Sequence, residues 1–331
     1  MSEKLITIGV LYPGEMGSCL GEMLRTQGHR VISVVVGRSR RTRGLCREAG
    51  IETVDSVREL ARLAEVVLSV VPPSAAVAVA EQYVQAAEQC DRRAMFVDAN
   101  AVSPQTAQRI ASLLEGAGHR FLDASIHGLA SRLPHNGTLY LSGSAAGEVA
   151  RLFPGTLKID VLEGDEPGAA SAMKMLVGGL NKGLVALLLE MSLLARQIGV
   201  LDKLLGVYRD CYPGVMEIVD RLLPTYPRHA GRRAEELEEL ENTMRSFGLV
   251  PRVVSGARST IEEIGRMDFD ECAMTARPGE TAIPWLIETI HQQIYDRSSD
   301  KQEGSRNGQQ TTIFRNAPWP RLSHSDGRTA S

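Results

Sequence analysis

The chain has 331 residues, enough for two domains that each enclose a core. With 43% hydrophobic and 23% charged residues it reads as an ordinary soluble globular protein, and a net charge of −3 gives it no general affinity for nucleic acid or membrane. Five widely spaced cysteines (Cys19, Cys46, Cys90, Cys211, Cys272) contain no CxxC pair, so neither a metal site nor a disulfide framework is expected. Reduced thiols suit the cytoplasm, and the first residues show no signal-peptide pattern.

Lys4–Leu11 is a short apolar, β-branched run of the kind that forms a buried parallel strand. It enters Tyr12-Pro13-Gly14-Glu15-Met16-Gly17, which opens an amphipathic helix closing near Gly28. Strand, glycine turn and helix make up a dinucleotide-binding unit, in which the helix N-terminus receives the pyrophosphate. The G-x-G-x-x-G pattern is imperfect, because Tyr12 takes the first glycine's place. The second strand, Val31–Val36, ends in Gly37-Arg38-Ser39-Arg40-Arg41-Thr42-Arg43. An NAD site normally carries an acid there for the ribose 2′-hydroxyl. Arginines with Ser39 and Thr42 instead suit a 2′-phosphate, so NADP(H) is the expected cofactor; a solvated basic loop is the plain alternative.

A helix is expected around Val57–Leu63, then a strand Glu65–Val71 that must turn at Pro72-Pro73 on the carboxyl edge of the sheet. After a helix over Ala75–Ala87, the strand Ala94–Val97 leads to Asn100 on the same edge, and Ser103-Pro104 start another helix. The strand Arg120–Ala124 runs into Ser125-Ile126-His127-Gly128; a hairpin-like stretch Gly137–Gly143, a helix Ala145–Phe153 and a strand Leu157–Val161 follow. The fold class is therefore α/β, a doubly wound, mostly parallel Rossmann-type sheet over residues 1–165.

From Gly168 the pattern is almost wholly helical. Gly168–Gly199 reads as one helix, apolar on most sides and expected to be buried on most of them. Lys174, Asn181, Lys182 and Glu190 interrupt it, which argues against a membrane span. Ser171, Lys174, Gly178 and Asn181 share one face, with Gly178 leaving room for a small polar substrate. A lysine in such a place loses its charge readily, as a proton carrier must; snorkelling to the surface is the structural alternative. Further helices are expected at 203–208, 214–222, 231–247, 251–267 and 282–295. Arg232–Glu241 should be largely solvated, and the tail after Asp296 (residues 296–331) disordered, with Phe314 and Trp319 able to dock locally. Residues 166–295 thus form an all-helical domain. Its long helix has more apolar surface than one small domain covers, so a homodimer through this half is expected.

Five segments in this order, IGVLYPGEMG, VVVGRSRRT, EVVLSVVPPSA, VDANAVSPQT with DASIHG, and GAASAMKM, resemble the β-hydroxyacid dehydrogenase superfamily, which includes 6-phosphogluconate and 3-hydroxyisobutyrate dehydrogenases. The C-terminal half is similar to a bacterial phosphogluconate-dehydrogenase-like subgroup with a helical domain of unknown function. The resemblance implies that Lys174 is the general acid/base and that Pro72, Pro73 and Asn100 lie on the nicotinamide side; Val71, just before them, is a further candidate for cofactor contact. Gly178 stands where the family often has asparagine. Asn181 stands where phosphogluconate dehydrogenases carry a proton-donating glutamate, so decarboxylation of 6-phosphogluconate is not expected. His127 and Leu129 replace the serine and last glycine of the carboxylate-binding loop, leaving Ser125, His127 and Gly128 as substrate contacts. His127 is either a second proton carrier or a histidine bonded to backbone. His229 and Arg233, four residues apart, are candidates for substrate contact or members of a solvated helix face.

These readings give an NADP(H)-dependent oxidoreductase acting on a small carbonyl or hydroxy compound. The alternatives are an imine reductase on the same fold, disfavoured by the lysine, and an inactive cofactor-binding protein.

Overall fold

The computed structural model describes residues 5–155, 157–164, 166–269 and 282–301, with side chains of the last helix as far as residue 294. Cys272, Phe314, Trp319 and the tail beyond Lys301 lie outside the described residues. The described residues fall into two compact units, one drawn from Met1–Asn181 with Glu235–Ser255 and the other from Lys182–Ala234 with Gly256–Ser331. Strands give way to helices before Ala169, whereas the division by contact comes later, within the long helix Ala169–Ile198.

The first unit is built on eight strands: β1 (Thr7–Leu11), β2 (Arg30–Val34), β3 (Glu52–Val54), β4 (Val66–Ser69), β5 (Met95–Asp98), β6 (Arg120–His127), β7 (Thr138–Ser142) and β8 (Lys158–Val161). They form one sheet in the order β3-β2-β1-β4-β5-β6-β7-β8. β1 to β6 are parallel, and β7 runs antiparallel to β6, as the hairpin-like pattern suggested. The strand order reverses between β1 and β4, where a doubly wound sheet opens its ligand crevice. Ile8, Val10, Val31 and Leu68 pack on one face with Leu20 and Leu24 of the first helix, Glu15–Thr26. Leu11, Ile32, Val67 and Phe96 pack on the other with Leu60, Tyr83 and Ile110. Cover on both faces is why these strands read as unbroken apolar runs; each large buried side chain contributes roughly 1.5–3 kcal/mol.

Besides short turns, a helix and a strand after β2 were not foreseen. The arginine-rich stretch there, to which the sequence pattern assigned no element of its own, enters a helix, Arg40–Glu48, and β3 follows it. Ser39 caps that helix by accepting the Thr42 N–H at 3.1 Å. With only Leu45 and Cys46 apolar in RRTRGLCRE, the helical period is hidden, yet Cys46 is fully buried and anchors it. The Ser103 cap and Pro104 at the first turn of Pro104–Gly116 are as expected.

Within the single chain the long helix is not buried on most sides, and its apolar surface exceeds what one domain covers, as its composition suggested. Leu176, Val177, Leu180, Leu187, Met191, Leu194 and Ile198 are exposed, and only 28% of its most apolar window is buried in the single chain. By length and hydropathy alone it would pass for a membrane span. Gly179 admits the Leu240 side chain, which lies 2.3 Å from where a Cβ would stand. In the second unit, Glu190 accepts a hydrogen bond from Thr260 Oγ1 at 2.7 Å, Arg196 pairs with Glu288, and Arg209 pairs with Asp220 at 3.1 Å. Ile283, Leu286, Ile287 and Ile290 of the last described helix, Ala282–Lys301, are buried. Arg232–Glu241 is helical but less solvated than expected, burying Arg233, Ala234, Leu237, Leu240 and Glu241. Leu237 and Leu240 lie three residues apart and so face the same way despite the charges around them.

Candidate active site

β1 ends in the turn meant for a dinucleotide. Tyr12 has φ +50°, the left-handed conformation that glycine would supply at the position it replaces. That costs roughly 1–2 kcal/mol. Its side chain offsets part of the strain: the hydroxyl donates to Gln82 Oε1 at 2.7 Å, and the Arg38 guanidinium lies 3.5 Å over its ring. Gly14 caps the first helix, and a Cβ there would meet nothing within 4 Å, so the turn is open to a ligand. Gly17 has the opposite role: a Cβ would stand 3.3 Å from Pro13 Cβ and 3.4 Å from Val10 Cγ1, so its absence lets helix and strand pack.

The basic segment is at the carboxyl end of β2. Arg38 and Ser39 precede the Arg40–Glu48 helix, and Arg41 and Thr42 are in its first turn. Arg41 pairs with Glu15 at the surface, where both side chains are largely exposed. Glu15 and Arg41 are thus joined to each other, whereas Arg38 is held by an aromatic face.

At the ends of β4 and β5 a buried polar knot closes the edge. Asn100 Oδ1 accepts the Val71 N–H at 2.6 Å, and Nδ2 donates to Ser69 Oγ at 3.0 Å and to Asp98 Oδ1. Asn100 therefore fixes the approach to Pro72 and the short 3₁₀ turn Pro73–Ala75. β6 runs four residues past the aligned end of β5 and carries Ser125 and His127 beyond that edge. The His127 ring meets Tyr140 edge-on at 4.9 Å; its Nε2, like Ser125 Oγ, is buried without a hydrogen-bond partner among the described residues. Burial first, then the charge of Lys174, lowers the His127 pKa, which favours a neutral imidazole. Gly128 has φ +134°, and a Cβ would stand 3.1 Å from Gly137 Cα, so only glycine lets the two backbones approach.

The long helix starts on a carboxylate. Asp123 of β6 accepts from the Gly168 N–H at 2.9 Å, the Ser171 N–H at 3.1 Å, Ser171 Oγ at 2.6 Å and Ser142 Oγ at 3.3 Å. Ser171 is therefore occupied in fixing the helix and is not part of an open substrate seat. One turn later Lys174, half-buried, is close enough for its charge to act on both Asp98 and His127. Gly178 and Asn181 follow, also half-buried, on the same unit.

The turn at Tyr12–Gly17, the basic segment, Val71–Pro73, Asn100, Ser125–Gly128, Lys174, Gly178 and Asn181 thus all belong to the first unit. His229 and Arg233 are in the second. Arg233 is buried there, 4.2 Å over the Tyr226 ring and donating to Thr225 Oγ1 at 2.7 Å. Asp98 and Asp123 were missed at the level of sequence. Their signal was an acid within an apolar strand run, in VDAN and FLDAS.

Residues 7–154 match the NAD-binding domain of 6-phosphogluconate dehydrogenase, and residues 195–264 match a domain family of unknown function. Residues 7–154 thus carry an NAD-binding domain of the 6-phosphogluconate dehydrogenase type, and the chain is similar to the β-hydroxyacid dehydrogenase superfamily. An uncharacterized 28.5 kDa protein of Methanothermus fervidus is 28% identical over 261 residues, spanning 78% of this chain and 98% of that one. A solved conserved protein of unknown function, described as structurally similar to 3-hydroxyacid dehydrogenases, is 29% identical, with TM-score 0.63 over 78% of this chain and 96% of its own. The 3-hydroxyisobutyrate dehydrogenase of Mycobacterium tuberculosis, solved with L-serine, shares the superfamily fold at 19% identity, with TM-score 0.65 over 83% of this chain and all of its own. The matched domain supports a nicotinamide cofactor as the ligand of residues 7–154, and the solved proteins of known activity that share the fold include dehydrogenases.

Proposed function

We propose that the protein is an NADP(H)-dependent oxidoreductase that interconverts a small carbonyl compound and its alcohol, with Lys174 as general acid/base. The observation that carries this reading is the placement of Lys174 beside the ends of β5 and β6, near enough for Asp98 and His127 to feel its charge. The turn fits a dinucleotide: Gly14 is open, Gly17 is packed shut, and a helix N-terminus faces the gap. Arg38, Ser39, Arg41 and Thr42 would hold the 2′-phosphate. Glu15, Met16, Val71, Pro72, Pro73 and Asn100 would flank the rest of the cofactor.

When bound, the nicotinamide supplies or accepts the hydride. Lys174 Nζ delivers a proton to the substrate oxygen in reduction and takes the hydroxyl proton in oxidation. Neutral His127 offers one ring nitrogen to the substrate, and Ser125, Gly128 and Gly178 shape the space around it. Asn181 orients substrate and has no proton to give a decarboxylated intermediate. His229 and Arg233 remain candidates for substrate contact; Arg233 is already committed to Thr225 and Tyr226. The four cysteines among the described residues are free thiols, which suits a reducing compartment, and we place the protein in the cytoplasm. The polar residues of the long helix, with Glu190 bound to Thr260, favour an apolar protein–protein face over a membrane span. A second copy would cover that face, which light scattering reads as a dimer mass; a monomer would refute it.

Turnover of a panel of ketones, 3-hydroxy acids and imines with NADPH and NADH tests the proposal. Ketone or hydroxy-acid turnover with NADPH supports it; faster imine reduction would move the reading to amine chemistry.

A further inference from the structure

Asp98 and Asp123 occupy the same register position on the neighbouring parallel strands β5 and β6. Strands so paired are about 4.8 Å apart and turn aligned side chains to the same face. Both residues are fully buried. Their surroundings are unequal. Asp123 collects four donors, from Gly168 and Ser171 at the start of the long helix and from Ser142 of β7, whereas among the described residues Asp98 receives only the Asn100 amide on Oδ1. Asp98 Oδ2 is buried without a partner among the described residues. Two carboxylates side by side in a dry site do not both ionise; the charge goes where donors receive it, and the other group stays protonated. Burial raises the Asp123 carboxyl too, but its donors pull against that rise, so of the two Asp123 is the better seat for the charge.

We propose that Asp98 holds a proton at neutral pH and acts as a positioning residue, setting the charge that the Lys174 ammonium faces. Among the described residues, the groups acting on it are Asp123 from β6, Lys174 from the long helix, and Asn100 at the end of its own strand. Burial first, then Asp123, pushes the Asp98 carboxyl up to about 8, against the pull of the Asn100 amide and Lys174. Ser171, anchored on Asp123, fixes the rotation of the helix one turn before Lys174. With Asp98 neutral, Lys174 faces an uncharged acid. As pH rises through 8, Asp98 ionises and holds the proton on the amine more tightly. Asp98 also touches Asn100, which ties the Val71 backbone, so the same group links the lysine to the loop before Pro72.

The catalytic consequence rests on the general acid/base role of Lys174; the protonation of Asp98 does not, and the test separates them. Carboxyl-labelled aspartate in the full chain is titrated by carbon NMR, with Asp98→Asn assigning the resonance. In parallel, trace acetylation by acetic anhydride is quantified by mass spectrometry at Lys174 from pH 6 to 10, with exposed Lys158 as internal standard. One carboxyl should titrate near pH 8 and vanish in Asp98→Asn, and the Lys174 curve should lose an inflection near pH 8 in that variant. A titration in the ordinary carboxylate range, or identical Lys174 curves, would overturn the proposal. Should Asp98→Asn not fold, the wild-type carboxyl titration decides alone. If Asp98 behaves as stated while Lys174→Ala keeps full turnover, only the catalytic reading fails.

Discussion

Arg38 is the side chain on which cofactor choice should turn, and its contacts allow the size of the effect to be worked out. Its guanidinium is held 3.5 Å over the Tyr12 ring, a cation–π contact worth about 0.5–1 kcal/mol at an exposed site. It is therefore pre-organised at the end of β2, with its hydrogen-bonding edge available to a phosphate. Arg41 differs, since it must leave Glu15 first; an exposed pair of that kind is worth about 0–1 kcal/mol. A hydrogen bond to a charged group contributes about 1.5–3 kcal/mol. Arg38→Ala should then weaken NADPH binding about 10- to 150-fold, and Arg41→Ala by less, because the released Glu15 contact offsets part of its gain. NADH has no 2′-phosphate, so its dissociation constant should move by less than about threefold. Isothermal titration calorimetry of both cofactors against wild type, each single variant and the double variant gives all the terms. Because Arg38 is exposed, thermal stability should hold within about 0.5 kcal/mol. Equal losses for NADPH and NADH would refute the 2′-phosphate assignment.

Asp123→Ala removes the acceptor for four buried donors, and urea unfolding should show a loss of about 3–5 kcal/mol; a loss under 1 kcal/mol would mean the helix start is held by something else. Gly128→Ala must hold φ +134° against the Gly137 backbone and should cost about 1–3 kcal/mol in the same assay. The raised Asp98 group makes the folded state bind a proton that the unfolded chain releases near pH 4. Its contribution to stability is therefore full below pH 4 and is lost as pH rises towards 8. Unfolding midpoints from pH 5 to 8 should fall less steeply in Asp98→Asn than in wild type. For His127, whose folded pKa is lowered, the sign is opposite: stability is present above the ordinary histidine value and falls as pH drops below it, a trend that His127→Gln should reduce.

The sheet was legible because each of its central strands is an apolar run punctuated by glycine, proline or a capping serine. Ser103-Pro104 marked a helix start to the residue. The Arg40–Glu48 helix was not legible, since charge masked its period and its anchor is the single buried Cys46. The long helix was legible only in sum, as more apolar surface than one domain covers; which residues stay exposed was not, because leucines at positions such as 176, 180 and 187 look the same in sequence whether they meet a core or solvent. The departure at Tyr12 looked like a damaged motif. In the fold the backbone keeps the left-handed turn, and the tyrosine ring seats Arg38. The acid pair was hidden for a different reason. Asp98 and Asp123 are 25 positions apart, and only strand register makes them neighbours.

The central claim is that the amine at position 174 moves the proton in a nicotinamide-dependent hydride transfer. The direct measurement is single-turnover oxidation of bound NADPH by a carbonyl from the panel, in wild type and Lys174→Ala. The rate should fall by a factor of roughly 10²–10⁴, the usual contribution of general acid/base catalysis, with NADPH affinity unchanged within about twofold. An undiminished rate in Lys174→Ala would contradict the account.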